Sequence, residues 1–121
     1  MTPISAPAEA LTYQMAVLAL YLDLPQTPPR VSASDQGQAR HWFQDGVPLA
    51  VVQAALCLGS LRRLKRPAQA VPLSAIRSLA YFHPVVEELL QTPVPDRYRD
   101  YLQHQIQPYL RSQLRAQGSG C

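Results

Sequence analysis

Apolar residues recur along this chain at helical spacing, and no segment alternates apolar and polar positions between hairpin turns. From Ala8 to Leu22 the run AEALTYQMAVLALYL has neither Gly nor Pro, is rich in Ala and Leu, and carries one charge, Glu9, near its start. It predicts a helix. The second half is apolar on nearly every face, which predicts a central position with neighbours on several sides. The following LPQTPPRVSAS is a linker, because Pro25, Pro28 and Pro29 remove backbone donors and force extended backbone before them. Ser32 or Ser34 can cap a second, short helix with Asp35 in its first turn and an apolar stripe of Ala39, Trp42 and Phe43.

Gly46 stops that helix, and Val47-Pro48 starts a third with proline where its missing N–H costs nothing. Leu49, Val52, Ala55, Leu56 and Gly59 lie on one side of it as far as about Lys65. After Pro67, Pro72 and Ser74 open a helix holding Ile76, Leu79, Ala80 and Phe82. At His83-Pro84 it either kinks or gives way to a fresh helix with Glu87 and Glu88 in the first turn. Pro93 and Pro95 mark the next break. A last helix from Asp96 to about Gln117 carries Tyr98, Leu102, Ile106, Tyr109, Leu110 and Leu114 and bends at Pro108. No repeat of 20–50 residues appears. The expectation is an all-α, compact bundle of five or six helices with breaks set by proline: one domain over 1–117 and a flexible GSGC tail at 118–121.

Composition narrows the picture further. A length of 121 residues fits one domain able to bury a core without disulfide or metal staples. Cys57 sits in an apolar run as a small buried hydrophobe and Cys121 ends a polar tail, so the reading is a reducing, cytoplasmic compartment. Residues Met1 to Pro7 show no signal or transit pattern. The most apolar stretch, Met15 to Leu22, falls far short of the roughly 20 residues a membrane span needs. A net charge of +3 permits contact with nucleic acid without demanding it.

The residues of familiar catalytic chemistry do not converge. His41, His83 and His104 are scattered over three helices, without zinc-site or HExxH spacing. Glu87 and Glu88 are adjacent, and helical neighbours point about 100° apart, so they cannot serve one bond as an acid/base pair. No GxxxxGK[ST] or GxGxxG loop is present. Cys57, between Leu56 and Leu58, has no charged neighbour to lower its pKa. The chain therefore reads as non-catalytic, with no metal, cofactor or small-molecule substrate.

Two features can carry function. Arg62, Arg63, Lys65 and Arg66, with Arg77 beyond, place four cations in five residues at the end of the third helix. A helix C-terminus favours cations, but this is more than the dipole needs. The C-terminal part adds Arg97, Arg99, Arg111 and Arg115, interleaved with Tyr98, Tyr101 and Tyr109, rings that can stack on bases or line the core. The corner at Gly46 suggests helix-turn-helix, yet Trp42 stands where that motif has a small residue. Of the base-facing positions Pro48, Leu49, Ala50, Gln53 and Ala54, only Gln53 can read a base edge.

The run WFQDGVPLAVVQAAL and, after the basic stretch, PLSAIRSLAYFHPVVEELL resemble the DnaD-like helical modules of bacterial replication-initiation and helicase-loading proteins, including those of plasmids and mobile elements. The likeness covers residues 40 to 90. Trp42, Val52, Ala55 and Leu56 match the first part of the family pattern in character, and Tyr81, Val85, Val86 and Leu89 match the second. The resemblance implies binding of DNA and of partner replication proteins without catalysis.

The sequence thus leads first to a nucleic-acid-associated accessory protein gripping phosphate backbone, with little sequence preference, through Arg62, Arg63, Lys65, Arg66, Arg77, Arg111 and Arg115. Two rivals stand beside it. One is a protein-interaction module docking a partner or a second copy through Tyr98, Tyr101 and Tyr109, and the other a small helical subunit of a ribonucleoprotein. The first reading requires the cations after Leu61 to be gathered on one open surface, neither engaged with the molecule's own acids nor spread over opposite sides.

Overall fold

The computed structural model describes residues 5–114; Arg115, Cys121 and the 118–121 tail lie outside them. The chain forms α1 (Ser5–Asp23), α2 (Ala33–Gln44), α3 (Leu49–Leu64), a 3-10 turn (Leu79–Phe82), α4 (His83–Gln91), α5 (Asp96–Ile106) and a second 3-10 turn (Gln107–Tyr109). Helix resumes over residues 111–114. There is no strand among the described residues, and the protein is the all-α bundle that the sequence pattern predicts. No helix among them is long and apolar enough to cross a membrane.

The central helix is α3, which packs against α1, α4, α5 and the first 3-10 turn and buries Val52 and every residue from Ala54 to Leu61. Ala54, Ala55, Gly59 and Ser60 make this possible, since small side chains let neighbours approach on several sides. A Cβ on Gly59 would lie 2.8 Å from the Phe82 ring. The expectation that α1 sits centrally is overturned. It buries one stripe, Tyr13, Val17 and Tyr21, against α2 and α3, while Leu11 and Met15 are 57% and 61% exposed. Its apolar composition exceeds what its packing uses.

The α2–α3 corner follows the expected chemistry. Ser32 caps α2 in a reciprocal box with Asp35. At the far end Gly46 adopts φ +76°, and the Val47 N–H donates back to the Trp42 carbonyl at 3.0 Å. The Tyr13 hydroxyl donates to the Val47 carbonyl at 2.8 Å and ties α1 to this corner.

Three expectations fail for local reasons. Residues 72–77 are not helical, and Ser78 is extended at φ −156° and ψ 162°. The Ile76 N–H donates to the Gln26 carbonyl, and guanidinium groups of Arg66 and Arg63 take the carbonyls of Val71 and Ser74, so tertiary partners replace the helical ones. A fresh helix begins at His83 with Pro84 second, but Glu87 and Glu88 then fall beyond its first turn and the dipole does not explain them. Pro108 does more than bend the last helix. α5 ends at Ile106, a 3-10 turn follows, and Leu110 is extended at ψ 142° before helix resumes.

Candidate docking surface

The basic residues at the end of α3 diverge to several parts of the fold. The Arg62 guanidinium donates two parallel hydrogen bonds to Glu88 of α4, at 2.8 and 2.6 Å. That pairing raises the Arg62 pKa and lowers that of Glu88, the hydrogen bond being the largest cause for each. Arg63 donates to the Gln26 side chain at 2.9 Å, the Tyr81 hydroxyl at 3.2 Å and the Ser74 carbonyl at 2.7 Å, and lies over the Tyr81 ring, 5.3 Å from its centroid. Lys65 reaches Gln105 of α5 at 3.3 Å, and Arg66 the Val71 carbonyl at 2.6 Å. The cations therefore brace α4, α5 and the 71–74 segment against α3. Of the four only Arg62 is paired with an acid; Arg63, Lys65 and Arg66 are held by neutral acceptors, and Arg62, Lys65 and Arg66 are exposed.

The other expected basic residues do not join them. Arg111 is half-buried and donates to the carbonyls of Leu22, in the last turn of α1, and of Thr27 beyond its end. Arg77 is exposed on the extended segment and has no partner among the described residues. Nor can α3 enter a DNA groove as a recognition helix, because it is the buried centre of the bundle.

The tyrosines of α5 are arranged differently. Tyr98 and Tyr101, three apart on one helical face, stack at 5.9 Å between centroids and 23° between planes. They are 36% and 50% exposed. Pro95 precedes α5 in extended conformation at φ −69°, and the buried Leu102 and Ile106, on the flank next to Tyr98, fix the helix to the core. A groove of about 440 Å³ runs between Leu58, Leu89, Val94 and Pro95, with the Arg62–Glu88 pair in its wall and Tyr98 at its end. Past Tyr98 it opens into a wider depression of about 810 Å³ bounded by Pro95, Arg97, Tyr98 and Tyr101. Tyr109 is exposed, but it lies in the 3-10 turn past the end of α5, so the expected continuous Tyr98–Tyr109 stripe is broken after Ile106.

Sequence reading missed the floor of this groove, because Leu58, Leu89 and Val94 come from α3, α4 and the α4–α5 connection and meet only in the fold. Their apolar character was the only local signal. Elsewhere, no group of three His, Cys, Asp or Glu among the described residues is placed to hold a metal. Cys57 is buried, which pushes its thiol up to about 12. No protein-family model matches this chain, and neither curated proteins nor solved structures give a match.

Proposed function

We propose that this chain is a non-catalytic protein-interaction module that docks a polypeptide on the α5 face. The observation that carries the reading is the stacked, half-exposed Tyr98–Tyr101 pair beside an apolar groove walled by Arg62 and Glu88. Tyrosine and arginine around an apolar floor are the composition enriched where protein contacts concentrate their energy. Helix α5 is short but held rigidly by Leu102 and Ile106, so little order is lost when a partner covers it. The cations expected to grip phosphate are engaged within the fold, which leaves this face as the better-supported contact surface. The resemblance of residues 40 to 90 to DnaD-like modules, with its implied contacts to partner replication proteins, accords with a docking role.

Site-directed photocrosslinking tests it. A benzophenone amino acid replaces Tyr101 in one variant and the exposed Arg40 of α2 in another, and both are irradiated in the cells that make the protein. The proposal expects a discrete polypeptide adduct from position 101 and none from position 40. Nucleic-acid adducts from position 101, or equal yields from both positions, overturn it.

A further inference from the structure

Resting on that docking reading, and naming its occupant, we propose that the α5 face pairs with the same face of a second copy of this chain, the two helices running antiparallel about a twofold axis. The charge pattern of α5 points to this partner. Arg97 and Asp100 are both exposed, lie three residues apart on the outward side of the helix, and have no hydrogen-bond or ion-pair partner among the described residues. The neighbouring Asp96 and Arg99 are already paired with each other.

A twofold contact brings residue i of one copy against residue j of the other, and j against i. Reversing a second α5 over the first about a point between positions 97 and 100 sets Arg97 opposite Asp100 of the other copy, twice. A foreign partner would have to supply this plus–minus pattern in mirror order, whereas a second copy supplies it by symmetry alone. Tyr98 and Tyr101 flank the axis and present parallel rings, and two such pairs stack without any further feature. The wide depression beside Arg97, Tyr98 and Tyr101 is the volume that the facing rings fill.

The size of the face sets the strength. An 11-residue helix spans about 16 Å and, even with the adjoining groove, covers less than the roughly 800 Å² per partner of a tight complex. The dimer is accordingly reversible and weakens as salt screens its rim charges.

Sedimentation velocity on the full chain between 1 and 200 μM tests the pairing, using wild type, Arg97→Asp, Asp100→Arg, the double swap and Tyr101→Ala. The expected results are a concentration-dependent monomer–dimer equilibrium in wild type and at least tenfold weaker association for each single swap. The double swap returns to within about threefold of wild type, and Tyr101→Ala is monomeric throughout. The three positions altered are all exposed, and circular dichroism of each variant establishes that the fold is kept. A wild type that stays monomeric to 200 μM, or a dimer indifferent to the single swaps, overturns the pairing. If the wild type is monomeric and position 101 still crosslinks to another protein in cells, the docking reading stands and self-pairing alone falls. Absence of both removes both.

Discussion

The indole N–H of Trp42 donates to Nδ1 of His83 at 3.1 Å, and the two rings lie 15° from parallel with centroids 6.2 Å apart. Trp42 is 1% exposed, so this bond is the only outlet of a large buried side chain, and it joins α2 to the start of α4. It also sets the tautomer: Nδ1 must accept, which leaves the proton on Nε2, 3.6 Å from the Glu87 carboxylate.

Removing the acceptor isolates the donor. His83→Ala is expected to lower stability by about 1–3 kcal/mol, the range for an unsatisfied buried donor. His83→Ala combined with Trp42→Phe is expected to cost less than the sum of the two single changes, because the phenyl ring needs no acceptor. Urea midpoints of the four proteins check this, and strict additivity contradicts it.

Asp35 is buried at the start of α2, where Oδ2 accepts the Ser32 N–H at 3.0 Å and Oδ1 accepts the Leu79 N–H at 2.9 Å. One carboxylate therefore closes the capping box and anchors the 3-10 turn 44 residues away. Asp35→Ala loses a cap and orphans a buried N–H, for an expected cost of roughly 2–4 kcal/mol. Ser32→Ala touches only the cap and is expected to cost about 1 kcal/mol. Thermal unfolding of the pair is the check, and equal losses contradict the long-range role of Asp35.

Gly59 looks like a position where alanine should help, by about 0.5–1 kcal/mol of helix preference. The structure predicts the reverse. The new methyl would meet the fully buried Phe82 ring at 2.8 and 2.9 Å, and overpacking of this kind costs about 1–3 kcal/mol. Gly59→Ala should be destabilised, and Phe82→Leu should be less harmful in that background than in wild type. A more stable Gly59→Ala removes the close packing of α3 on the 3-10 turn.

Alkali and acid act on different groups. Burial pushes Tyr13 and Tyr21 from 10.0, and Cys57 from 9.0, up to about 12, with Asp35 adding to the effect on Tyr21. A raised folded pKa means stability fully present below the unfolded value and lost as pH climbs through the folded one, so the loss runs from about pH 9 to about pH 12. Cys57→Ala should delay its onset. Glu88 has a lowered pKa, and its contribution is present above the ordinary carboxylate range and lost as pH falls through the folded value. Because the Arg62–Glu88 pair is about half exposed, that acid loss should stay below about 1 kcal/mol. Urea midpoints from pH 4 to pH 11 test both arms, and a midpoint unchanged to pH 11 contradicts the alkaline one.

Much of the helical architecture was legible because proline and glycine punctuate it. Ser32, Gly46, Pro48 and Pro84 each lie within two residues of a helix boundary that they help set. Packing was less legible. The apolar run of α1 is stronger than that of α3, yet α3 is central, because Ala54, Ala55, Gly59 and Ser60 admit neighbours that bulkier side chains exclude. The false helix at 72–77 had the right residues, and lost to guanidinium groups arriving from α3. For the site, charge could be read and its destination could not. Arg62 and Glu88 are 26 residues apart, and nothing local announces that they meet. Tyr98 and Tyr101 were visible as a helical pair, whereas Leu58, Leu89 and Val94 become one groove only through tertiary packing.

On the proposed function, the cations at the end of α3 hold the bundle together and polypeptide docking falls to α5. Titrating labelled single-stranded DNA, duplex DNA and RNA with the full chain at 50 and 200 mM salt, and reading anisotropy, tests it most directly. The predicted result is no binding below about 100 μM at either salt, together with a lower unfolding temperature for Arg62→Glu/Arg63→Glu. Micromolar binding that falls steeply with salt, and disappears in that double variant while its fold is intact, would contradict it.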